Sequence, residues 1–261
     1  MRYARLYAAF VRFAFMRAME FRVDFFFRFG MDVIWYAYQL AFFEILFLRT
    51  PTLLGMAPAD VRVFIGAVFV MDAFHMTVFA TNMWWFPIQV NRGDLDFHLV
   101  RPVSSLFFLS VREFAANSFF NLVLAIGVLA WMISAHPADL DALRLLGFVG
   151  LLLVCSLLHH ALNVLFLLPV IWMHNAAGLR DLFMGLGQYM ARPDVIYRGW
   201  VRRLLTVVLP FAVLVSFPVR ALLGPDFLGP ALHIVLTTTV AYLVLALAWR
   251  LALRAYASAS S

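Results

Sequence analysis

Residues 145–179 read LLGFVGLLLVCSLLHHALNVLFLLPVIWMHNAAGL, without a single Asp, Glu, Lys or Arg. A run of ~20 apolar residues suffices to cross a bilayer core about 30 Å thick. This one is too long and too apolar for an ordinary buried helix. Windows 114–138 and 227–249 are equally free of charge. The whole chain is 65% hydrophobic and 13% charged, with 28 Phe among 261 residues. A soluble domain needs only about 45–50% apolar residues. The excess calls for lipid as a second apolar environment, so the sequence predicts an all-α integral membrane protein.

Six spans are predicted, at 25–48, 63–86, 105–134, 145–173, 204–223 and 231–253. The connections are then 49–62, 87–104, 135–144, 174–203 and 224–230. Ahead of them, residues 1–22 hold five arginines, too many for a span. At about 100° per residue, Arg2, Arg5 and Arg12 cluster at roughly 120–200°, whereas Tyr3, Tyr7, Phe10 and Ala14 fall at roughly 280–340°. That is an amphipathic helix lying in the interface, arginines toward headgroups and aromatics toward acyl chains. A plain charged flank is the alternative, and Arg17 fits the amphipathic pattern poorly.

The formal net charge of +6 is carried by arginine alone, since no lysine occurs. The arginines sit at the ends of apolar runs, which reads as membrane topology and not as a nucleic-acid surface. With the N-terminus inside, the inner segments carry fourteen arginines and the outer loops three. The positive-inside rule then places both termini in the cytoplasm. The lysine-free composition suggests a GC-rich bacterial genome and hence the bacterial inner membrane. The single Cys155 lies in an apolar run and cannot form a disulfide within the chain. No cleavable signal is expected, because Arg12 interrupts the first apolar stretch.

One connection is unusually polar: NRGDLDFHLVRPVS, residues 91–104. Gly93 and Pro102 bracket about two helical turns from Asp94 to Arg101, with Asp94 placed to cap them. Leu95, Leu99 and Phe97 would face the membrane and Asp96, His98 and Arg101 a soluble partner. From the residues alone, a solvated loop and a docking surface are both open readings. Within the apolar runs, Asp72 and His75 are spaced to meet on one helix face, as are Arg28 and Asp32. Together with Arg112 and Glu113 they are candidates for a substrate path or structural ion pairs. Pro210 and Pro218 should kink or break the fifth span. His159 and His160 are adjacent, diverge on a helix, and give no metal signature.

The stretches RGDLDFHLVRPVSSLF (92–107) and RPDVIYRGWVRRLLTVVLPFAVLVSFPVRALLG (192–224) resemble the membrane subunits of type-2 ABC exporters, in the six-span bacterial branch. MEFRVDFFFRFGMDVIW (19–35) and WRLALRAYASAS (249–260) are similar to the same branch, so the likeness covers nearly the whole chain. The resemblance implies one transmembrane permease domain over 1–261, working beside a second permease, the same chain or a related one. ATP and magnesium would be bound by a separate dimer of ATPase subunits; no cofactor is expected here, and the chain itself would not be an enzyme. It also implies that Gly93, Asp94, Leu95, Asp96, His98 and Arg101 form a coupling helix within 87–104, seated on the ATPase. Re-entrant helices in such exporters would fall near 217–230. A phosphate-binding P-loop requires a lysine that this sequence lacks. The competing reading is an ion-coupled secondary transporter using the intramembrane Asp, His and Glu residues; the missing internal repeat argues against it.

Overall fold

The computed structural model describes residues 2–18, 22–53, 55–100, 102–173 and 177–256. They form helices and their connections, with one isolated bridge between Leu53 and Met56. The helices are α1 (Arg2–Ala18), α2 (Arg22–Phe47), α3 (Pro58–Arg92), α4 (Leu95–Leu99), α5 (Ser105–Val111) and α6 (Ala116–Ser134). There follow α7 (Ala142–Met173), α8 (Ala177–Gly187), α9 (Gly199–Val208), α10 (Pro210–Leu223) and α11 (Leu228–Ala255). Among the described residues, α3, α6, α7 and α11 are long and apolar enough to cross a membrane. α9 and α10 pass the same test only together, as a pair bent by 77°. α2 has 26 residues but carries Asp32 and Glu44, and it does not pass on composition.

Polar contacts mark two ends of the bundle. At one end Arg62 bonds Glu44 at 2.6 Å, His136 meets Asp60 at 3.0 Å and Arg144 donates to the Gly224 carbonyl at 3.0 Å. At the other lie Asp94, Asp96 and Tyr256, with the Ser104 amide donating to the Tyr3 hydroxyl. Between the ends the helices pack tightly. Gly66 of α3 faces α6 so closely that a Cβ there would lie 2.8 Å from Met132 Sδ and 3.2 Å from Leu129 Cα. Small residues permit this kind of backbone approach between helices in a membrane. On the other side of α3, Phe69 stacks on Tyr36 of α2 at 4.0 Å.

The third predicted span, 105–134, is not one helix. It breaks between α5 and α6, and Arg112–Ala115 is irregular. The cause is a polar clamp from α3. The Asn82 side chain accepts from the Glu113 amide at 2.7 Å and donates to the Glu113 carbonyl at 2.8 Å. Beside it, α3 passes through a π turn at Met76–Ala80, where the Thr77 carbonyl accepts from the Ala115 amide at 2.9 Å. A buried break needs partners for its exposed backbone groups, and a π turn offers a carbonyl to an outside donor.

The path of 174–223 also differs from expectation. Residues 174–203 are predicted to stay at one end as a connection. Instead, Arg180 of α8 lies 4.0 Å over the Trp84 ring, while Asp194 lines a pocket with Asp60 and Phe64. Trp84 and Asp60 are separated by about 36 Å along α3, at 1.5 Å per residue. The chain from 177 to 194 therefore runs from one end of the bundle to the other. Residues 204–223, predicted as the fifth span, do not. Arg202 of α9 and Arg220 of α10 bond the same carboxylate, Asp194, so both arms of the bent pair start and finish near one level. The pair turns at Leu209, whose backbone leaves the helical region (φ −121°, ψ 76°) before Pro210, and reaches the middle of the bundle where Phe211 packs on Phe183 at 5.6 Å. It then returns to Gly224 beside Arg144. The pair is a hairpin over 199–223 whose two arms share one end of the bundle, and it overlaps the predicted 217–230 only at 217–223.

In α1 the aromatic face is the one read from the sequence, but its neighbours are protein. Tyr3 meets Phe107 at 4.9 Å, Phe10 meets Phe108 at 5.6 Å and Tyr7 meets Phe114 at 6.4 Å. Ala14 is buried, while Arg5 and Arg12 stay exposed. The helix covers the α5–α6 break, where apolar surface is available and backbone groups are already satisfied.

Candidate functional site

Two regions gather the residues singled out above. The first is the turn of polypeptide after α3. Gly93 takes φ 76°, and the following Asp94 amide bonds back to the Gln89 carbonyl at 3.0 Å. Only glycine adopts that left-handed conformation without cost, and it closes the helix. Asp94 itself is helical and its side chain caps nothing, contrary to the expected cap: its backbone is already committed to ending α3. α4 is five residues long, shorter than two turns, and it is anchored by Leu95 and His98. His98 is buried against the Phe108 ring at 5.1 Å, so it faces the protein and not a partner. What α4 presents outward is apolar: Phe97 is 68% exposed, Val100 83%, and Leu99 is exposed beside them. Asp96 and Asp94 lie near Tyr256, whose hydroxyl pKa is raised by burial first and by these two carboxylates second. Arg101 lies outside the described residues.

The second region is a cavity of about 440 Å³ between α2, α3, α7, α8 and the turn that follows α8. Asp72 and His75 line it from α3, His159 and Asn163 from α7, and Arg180 and Phe183 from α8. The expected Asp72–His75 pair does not form. His75 Nε2 is instead 3.2 Å from Asn163 Nδ2, and its ring lies 4.1 Å from that of His159. Phe183 stacks on His159 at 5.5 Å. The neighbouring His160 turns away, to Ser110 at 2.9 Å and the face of Phe79 at 4.2 Å. The side chain of Arg28, expected opposite Asp32, lies outside the described residues. Among the described residues no group of three His, Cys, Asp or Glu is placed to hold a metal.

Arg112, Glu113, Pro210 and Pro218 do not line this cavity. Arg112 lies 3.5 Å from Glu113 at the α5–α6 break, and both prolines are buried in the re-entrant pair. The sequence reading passed over Asn82, Asn163, Arg180 and Asp194. An asparagine inside an apolar run was the available signal for the first two, because a buried amide in such surroundings requires partners.

A family model described as ABC-2 family transporter protein matches residues 33–260. The chain belongs to the ABC-2 transporter family. Comparison with curated proteins and with solved structures gives no match. As an ABC-2 family member it is a multi-pass membrane transport protein, a permease. The all-helical bundle and its four to five candidate spans agree with that membership.

Proposed function

We propose that this ABC-2 permease is the membrane-spanning subunit of an ATP-driven exporter in the bacterial inner membrane, paired with a second permease and driven by a separate ATPase dimer. Six segments cross: α2, α3, α5–α6, α7, residues 177–194, and α11. The α9–α10 pair re-enters from the side opposite the N-terminus. Reassigning 177–194 and the α9–α10 pair leaves ten arginines at the Asp94 end and eight at the Asp60 end, a much weaker bias than fourteen to three. Sidedness then rests on the five arginines ahead of the first span, because the first helix usually dominates orientation. It places both termini, α4 and Tyr256 in the cytoplasm, with α1 lying along the interface.

The observation that carries the coupling role is α4 itself. It is fastened to the body through Leu95 and His98 while Phe97, Leu99 and Val100 stand out from an end that should face water. Exposed apolar side chains on a fixed element mark an interaction site. Asp96 and Arg101 would form its polar rim. The ATPase would pull or push this helix, and α3, continuous with it through Gly93, would carry the movement to the cavity.

The test is gentle purification from native membranes with mass spectrometry and an ATPase assay. Co-purification of an ATPase subunit, lost in a Phe97→Ser/Val100→Ser variant of normal abundance, is the expected result. The competing ion-coupled reading draws on Asp72, a carboxylate open to a cavity at mid-depth. A transport-competent particle containing this polypeptide alone would establish it.

A further inference from the structure

The cavity beside Asp72 has a chemical character that the transport reading leaves unused. Its walls are mostly apolar and aromatic, with Trp35, Trp84 and Phe183 among them and methionines between. Aromatic faces and thioethers suit a flat or bulky organic body, and aromatic faces also attract cations. Asp72 opens into this space and makes no hydrogen bond or ion pair with a described residue. Asp32 of α2 is near enough for its charge to act on Asp72. The cavity's arginine does not neutralise it. Arg180 is engaged at the far end, over the Trp84 ring and on the Trp84 carbonyl at 3.3 Å. Trp84 is twelve residues, about 18 Å, further along α3 than Asp72.

Two buried ring nitrogens complete the set. Nδ1 of His75 and Nδ1 of His159 have no hydrogen-bond partner, although both residues are more than nine-tenths buried. The Nε2 of His75 is held by Asn163, which fixes that ring in place. An orphaned buried polar atom is costly unless something meets it. A carboxylate at membrane depth likewise requires a counter-charge, water or a ligand.

We propose that this cavity binds an organic cation with an aromatic or bulky apolar body, Asp72 supplying the counter-charge and Trp35, Trp84, Phe183 and the two imidazole rings forming the wall it packs on. Anions of the same shape are rejected, because Asp72 repels them and Arg180 is too distant to compensate. The ligand class rests on the reading of this chain as a transport subunit, but binding itself needs neither ATP nor turnover.

The probe is radiolabelled tetraphenylphosphonium, and radiolabelled tetraphenylborate, of the same shape and opposite charge, is measured in a separate sample because the two ions precipitate together. Binding is measured at equilibrium on the full chain purified from native membranes with whatever subunits accompany it. Saturable binding of the cation, displaced by unlabelled cation, and no saturable binding of tetraphenylborate are expected. Asp72→Asn should weaken it about tenfold or more, as loss of a desolvated charge partner does, and Asp72→Glu should restore it to within about threefold. Unchanged affinity in a folded Asp72→Asn protein would overturn the proposal. Should that variant fail to accumulate, charge selectivity in the wild type decides: saturable binding of tetraphenylborate as tight as that of the cation refutes it. A transport-subunit reading that fails would show instead as absence of an ATPase from the same preparation, whatever the binding result.

Discussion

α7 and the stretch from 177 to 223 are neighbours in sequence and in space, yet they are built on opposite principles. α7 runs 32 residues with one interruption, a two-residue turn at Leu168–Pro169, and is held by burial of apolar side chains on most of its inner face. The stretch after it consists of short helices, a 3-10 turn at Asp194–Ile196, a π turn and a 77° bend. What holds that stretch is a few polar anchors: Arg180 on Trp84, the Asp194 amide on Ser216 Oγ at 3.0 Å, and Asp194 between Arg202 and Arg220. A long apolar helix can be placed by hydrophobicity alone. An irregular path at membrane depth must have its backbone met by side chains or by neighbouring helices, and those contacts decide where it runs.

The difference can be broken first at Asp194. Its carboxylate is 3% exposed and holds both arms of the re-entrant pair. Asp194→Ala should lower stability by about 2–4 kcal/mol, slightly under the range for a fully buried pair because both arginines retain some solvent access. Thermal unfolding in detergent would show it, and protease nicking within 195–210 should rise. A loss no larger than that of a surface ion pair would mean that the hairpin is held by apolar packing, as α7 is.

A smaller effect is expected at the other anchor. Arg180→Met keeps most of the side-chain bulk but removes the charge over Trp84, costing about 0.5–1 kcal/mol at an exposed cation–π site. Quenching of Trp84 fluorescence by a water-soluble quencher should increase, since the guanidinium no longer covers the ring. The control lies in α7. Ser156 bonds the Leu152 carbonyl of its own helix at 2.9 Å. Ser156→Ala should change stability by less than about 0.5 kcal/mol, because Leu152 keeps its helical bond and alanine fills the small site. A cost equal to that at Asp194 would erase the distinction between the two regions.

Composition was sufficient for the all-helical membrane class and for α3, α7 and α11, whose apolar runs outlast a bilayer. The resemblance in 92–107 and 192–224 led to the family that the match over 33–260 establishes. Hydropathy failed where contacts override it. The 105–134 run carries no charge apart from Arg112 and Glu113, and nothing local reveals that Asn82, some thirty residues earlier, grips its backbone. Residues 204–223 are more apolar than 177–194, yet the former turn back and the latter pass through. An ion pair between residues 26 apart, Asp194 and Arg220, fixes that outcome. In the candidate site, Asp72 and His75 stood out as ionisable residues in apolar runs, whereas Asn163, Phe183 and Arg180 acquire meaning only once α8 lies against α7. On α4 the misreading was His98, expected to face a partner. His98 is turned inward by Phe108, and Phe97 is left outside.

The account depends most on the path of 177–223, and single-cysteine labelling tests it directly. Cys155 is buried and can be replaced by alanine, leaving one introduced cysteine at residue 97, 140 or 198 in turn. A membrane-impermeant maleimide applied to intact cells and to inverted vesicles then reports the side of each. The prediction is that Arg198→Cys reacts from the same side as Leu140→Cys and opposite to Phe97→Cys. Labelling of position 198 together with position 97 would contradict it, restoring 204–223 as the fifth crossing.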